Sequence, residues 1–129
     1  MTTLKTLLVT LLWLTMTTQS QAATVMSEDP LRLFATCSGR LSAHWEHQWL
    51  TNDLEPRIEQ SQRDQMNALI FTLLNDDTAS DVLNWRINAK HAHARLLTQA
   101  SFSYDPEAAD WALKRAQEEV ESCLGLMLN

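Results

Sequence analysis

Between Asp105 and the end of the chain, apolar residues fall at Ala109, Leu113, Ala116, Val120, Cys123 and Met127, in steps of four and three. That spacing builds one face of an α-helix and lacks the strict alternation of a half-buried strand. It is the cleanest periodicity in the sequence, and weaker versions of it recur in three earlier segments. Only two glycines occur in 129 residues, against a usual frequency of about 7%. The expected fold class is therefore all-α.

Asp105-Pro106 marks where the last helix should begin, because aspartate can accept from free backbone N–H groups and proline suits the first helical position. Asp29-Pro30 repeats the signal. A first helix should run from there to about Thr51, with Phe34, Cys37 or Ser38, Leu41, Trp45 and Trp49 facing inward. A second should start at Glu55-Pro56 and reach Leu74, burying Ile58, Gln62, Met66, Leu69, Ile70 and Leu73. The polar run Asn75-Asp76-Asp77-Thr78 interrupts it, and a third helix follows from near Ser80 to Ser101. Its inward stripe reads as Leu83, Ile87, Ala94 and Leu97 with the Lys90 stem alongside, and Thr78, Ser80 and Asp81 are its capping candidates.

Ahead of these segments, Lys5 is followed by an uncharged, leucine-rich stretch to Met16, and Ser20-Gln21-Ala22 supplies the small residues a signal peptidase reads. Residues 1–22 are expected to be a cleaved signal peptide and 23–129 a single helical domain. The apolar run is about ten residues, well under the roughly 20 that cross a bilayer, so no stable membrane anchor is expected after cleavage. Removing the leader takes Lys5 from a chain of formal charge −6, leaving −7. Acidic residues are spread along the chain without a basic patch, which argues against a nucleic-acid partner.

Four amphipathic helices with short connections predict an up-down-up-down bundle in which the first and last helices are antiparallel neighbours. Cys37 lies seven residues beyond Pro30 and Cys123 six before the terminus, which places both at one height on inward stripes. An even cysteine count in an exported chain predicts a Cys37–Cys123 disulfide. At the opposite end the same topology gathers Trp45, Trp49, Phe102, Tyr104 and Trp111 into an aromatic plug. Ser38, Gly39, Ser42 and Ala43 form a patch of small residues suited to close helix packing.

Chemistry-bearing residues are few. His44 and His47, three apart on one helix with Glu46 beside them, are the candidate ligands for a copper or zinc ion. His91 and His93 point about 200° apart, and a cyclic bundle sets the first and third helices diagonally, so the remaining histidines read as surface groups of ordinary pKa. Asp76-Asp77 reads as a polar loop and Glu118-Glu119 as a solvated helix face. The Asn75–Asp81 stretch lacks the central glycine and distal glutamate of a calcium loop. There is no nucleophile elbow and no haem-attachment sequence, and both cysteines are expected to be oxidised. No enzyme activity or cofactor is expected.

Trp85 and Trp111 each project roughly 160–200° from the apolar stripe of their helix, which makes them candidate anchors for a ligand or partner. The leading expectation is an exported, periplasmic or secreted, non-enzymatic helical protein that binds an unidentified protein or small ligand through a face including Trp85 or Trp111. The alternatives are a periplasmic metal-binding protein using His44 and His47, and an acid-stress chaperone. A signal peptide, a helical body of about 100 residues and one disulfide resemble in class the small periplasmic acid-stress chaperones of bacteria, with no residue carried over from that likeness.

Overall fold

The computed structural model describes residues 29–52 and 60–127, and these form four helices. They are α1 (Pro30–Thr51), α2 (Gln60–Leu73), α3 (Ala79–Phe102) and α4 (Pro106–Gly125). No strand occurs among the described residues. The proposed signal peptide, the Glu55-Pro56 helix start and Ile58 lie outside them.

Both aspartate-proline signals act as read. Asp29 Oδ1 accepts from Leu31 N at 3.1 Å, and Asp105 Oδ1 accepts from Glu107 N at 3.0 Å and Ala108 N at 3.4 Å. Each supplies an acceptor to the otherwise unpaired first turn. Asn52 ends α1 in the left-handed conformation, φ 54°, which asparagine tolerates better than most side chains. Thr78 behaves differently: it occupies the N-cap position of α3 without a side-chain cap. Its hydroxyl turns back on Asn75, donating to the Asn75 carbonyl at 3.2 Å while Asn75 Oδ1 accepts from Thr78 N at 3.0 Å.

The helix directions follow from their contacts. Ser38 of α1 bonds Asn67 of α2 and Arg63 lies over Trp45, so α2 runs antiparallel to α1. Leu31 and Ala35 share a cluster with Val82 near the start of α3, whereas His44 meets His93 further along. Thus α3 runs parallel to α1. Cys37 pairs with Cys123 and Arg40 with Glu119, which makes α4 antiparallel. The result is up-down-up-down, with one departure from a square bundle: α1 and α3, the expected diagonal pair, make the most extensive contact.

Gly39 is the reason. A β-carbon there would collide with the Arg86 carbonyl oxygen of α3 and stand 3.0 Å from Lys90 N. Only glycine lets the two backbones come this close. Ser38 and Ala43 beside it are also buried, so the small-residue patch serves internal packing. Two apolar clusters then lie against α1: Cys37, Leu41, Met66, Val120 and Cys123 in one, and Leu31, Ala35, Ile70 and Val82 in the other. The disulfide sits within the first, with Cα atoms 5.4 Å apart.

This close contact corrects the stripe expected for α3. Val82, His93 and Leu97 are buried, while Leu83 is 56% and Ile87 43% exposed. Leu97 keeps its expected inward place, whereas Leu83 and Ile87 turn outward and Val82 and His93 take the inner face. In α4, Ala112 replaces Leu113 on the inner face, and in α1, Gln48 replaces Trp49. The aromatic plug does not form: Trp49 stands edge-on to Trp45 at 5.9 Å, and Trp49, Phe102, Tyr104 and Trp111 are all exposed.

Candidate functional site

Two features concentrate the chemistry of the described residues: a buried polar junction where α1, α3 and α4 meet, and an open groove between α2 and α3.

At the junction, His93 has no solvent exposure. Its Nδ1 lies 3.1 Å from Glu119 Oε2 and its Nε2 3.3 Å from His44 Nδ1. Glu119 also receives Arg40 Nε at 3.2 Å and Arg115 Nε at 3.3 Å. Burial holds the His93 pKa below its ordinary value by penalising the charged ring. The Glu119 hydrogen bond and charge pull it back up, and Arg40 and His47 repel the added proton. A carboxylate only accepts, so a neutral His93 carries its proton on Nδ1, donates to Glu119, and accepts at Nε2 from His44 Nδ1–H.

The junction corrects two readings of the sequence. His93 is not a surface histidine of ordinary pKa, and Glu119 is not part of a solvated face, although neighbouring Glu118 is exposed. Both errors follow from placing α1 and α3 on a diagonal. His91 does lie on the exposed side, as the angle between the two histidines requires.

His44 Nδ1 meets His93 Nε2 at the junction, and His47 Nε2 lies 2.8 Å from Ser101 Oγ. No group of three or more His, Cys, Asp or Glu side chains arranged to hold a metal ion occurs among the described residues. The His47–Ser101 pair matches the spacing of a base and a hydroxyl nucleophile, but it lies on an exposed seam rather than in a site shielded from water. The junction can hold and move a proton, and it ties three helices together.

The groove arises because α2 packs chiefly on α1 and leaves its flank towards α3 open. It has a volume of about 130 Å³, and its walls include Ile70, Phe71, Leu74, Val82 and Leu83. Asn67 and Arg86 are the polar residues among the described ones in its lining. Phe71 is 74% exposed at its rim. Periodicity did not reveal the groove, because Leu83 was read as core and the separation of α2 from α3 leaves no mark on either stripe.

Trp85 does not project into solvent. It is half-buried against the Leu31, Ala35, Ile70 and Val82 cluster, with the Arg32 guanidinium 5.8 Å from its ring centroid. Trp111 is 58% exposed on α4. No helix among the described residues is long and apolar enough to cross a membrane. No protein family, curated protein or solved structure matches the chain.

Proposed function

We propose that this is an exported, non-enzymatic binding protein whose helical scaffold presents the α2–α3 groove to a compact apolar group. The groove itself carries the reading: a concavity of about 130 Å³ walled by Ile70, Phe71, Leu74, Val82 and Leu83 and open on one side. Cavities of this size accommodate a benzene-sized group and fall well below the roughly 300–1,000 Å³ of sites for larger ligands. The disulfide supports export, since such bonds persist in oxidising compartments. It also fixes α1, the helix against which both walls of the groove are set.

Titration of the isotopically labelled protein with 3-phenylpropan-1-ol, followed by amide chemical shifts, tests the reading. Saturable shifts should centre on Ile70, Phe71, Val82 and Leu83 and weaken in Leu83→Asp. Shifts confined to the exposed face around Trp111, or none up to the solubility limit, would remove the groove as the binding surface.

The buried His93 favours a second reading, acid-linked holding of unfolded clients, because a neutral imidazole at a three-helix junction opposes protonation until the helices part. Suppression of client aggregation at about pH 3, where carboxylates are also neutralised, would support it. A protein that stays folded and inactive there would eliminate it.

A further inference from the structure

Two of the described residues in the groove lining, Asn67 and Arg86, are polar, and both side chains carry donors. Ser38 Oγ donates to Asn67 Oδ1 at 2.8 Å, so the Asn67 acceptor is already engaged and its Nδ2 hydrogens remain. Arg86 is half-buried in the same lining. Its guanidinium makes no ion pair or hydrogen bond with any described residue, whereas Arg40, Lys90, Lys114 and Arg115 are all paired. No carboxylate of a described residue lines the groove. Arg86 is thus a half-buried residue beside apolar walls with no counter-charge from any described residue, and a ligand could supply one.

Resting on the groove as the binding surface, we infer that its ligand is a small apolar monocarboxylate, with the hydrocarbon part between Phe71, Leu74 and Leu83 and the carboxylate on Arg86 and Asn67. The planar fork of arginine matches the two oxygens of a carboxylate and gives a charge-assisted contact. A volume near 130 Å³ suits a hydrocarbon of one ring or a short branched chain. A long acyl chain would leave most of its length outside the groove in water, and a bare anion such as acetate leaves the apolar walls wet.

The test compares 3-phenylpropionate with its neutral isostere 3-phenylpropan-1-ol, with acetate, and with a tripeptide ending in phenylalanine. Titrations use the full-length chain and the Arg86→Gln and Arg86→Lys variants, each checked for native helicity. The carboxylate should bind at least about fivefold more tightly than the alcohol, as a half-exposed charge-assisted contact provides. That preference should vanish in Arg86→Gln, leaving alcohol binding intact, and survive in part in Arg86→Lys. Acetate alone should not saturate.

Equal affinities for carboxylate and alcohol would overturn the anionic inference while leaving the groove as an apolar site. Binding of neither would overturn both readings. Tighter binding of the tripeptide than of 3-phenylpropionate would overturn the small-molecule ligand in favour of a protein C terminus. If Arg86→Gln fails to fold, the comparison of carboxylate with alcohol on the unsubstituted protein still decides the question.

Discussion

Glu119 of α4 and His93 of α3 share a 3.1 Å hydrogen bond at a position where the imidazole is wholly shielded from water. The pair couples folding to protonation. Burial first, with Arg40 and His47 adding to it and Glu119 opposing, holds the folded His93 pKa below the 6.5 of a free side chain. The unfolded chain therefore takes up the proton first. This contribution to stability is fully present above about pH 6.5 and is lost as pH falls through the lower, folded value, by at most about 1.4 kcal/mol per pH unit for one proton. Urea unfolding at about pH 7.5 and about pH 5 should show the loss, and His93→Gln should shrink the difference between the two. An unchanged pH dependence in the variant would assign the effect to other groups.

Reduction should be costly. The Cys37–Cys123 bond spans 86 positions, and the chain-entropy model gives about 4.6 kcal/mol for a loop of that length. In a domain whose total stability is typically about 5–15 kcal/mol, the Cys37→Ser, Cys123→Ser variant should unfold at markedly lower denaturant. A midpoint unmoved by reduction would mean the bond adds nothing to the packing around it.

Gly39→Ala tests the contact between α1 and α3. Alanine gains about 1 kcal/mol of helix propensity over glycine, but its methyl group meets the rigid Arg86 carbonyl. Overpacking of this kind typically costs about 1–3 kcal/mol, so the net effect should be destabilising. A stabilised variant would show that the two helices can separate freely.

The register of α3 makes a paired prediction. Leu97→Ala should cost about 2–5 kcal/mol, because Leu97 is 4% exposed. Leu83→Ala, at a site 56% exposed, should cost under about 1 kcal/mol. Both leucines lie on the stripe expected from the sequence, and thermal or denaturant unfolding of the two variants shows which of them faces the core.

The parts of the fold that could be read from residue order were those with local causes. Asp29 and Asp105 cap helices within three residues of themselves, and two cysteines on facing stripes admit one intramolecular pairing. The junction and the groove have non-local causes. Leu83 and Ile87 outweigh Val82 and His93 in hydrophobicity, yet the close approach at Gly39 decides which side of α3 turns inward. His93 and Glu119 look solvated in isolation because nothing near either in sequence reveals that α1 and α3 touch. Trp85 was misplaced for the same reason, as its true neighbours belong to α1 and α2.

The order in which the chain is made bears on the disulfide. Cys37 lies on α1, the earliest of the described helices, and its partner Cys123 on α4, the last of them, 86 positions later. At synthesis rates of roughly 5–20 residues per second, the earlier thiol waits roughly 4–17 seconds for its mate. Within these 129 residues there is no third cysteine to capture it. Scrambled bridges among these residues are therefore impossible, and a thiol from another molecule is the wrong partner that an oxidising compartment must keep away during that interval.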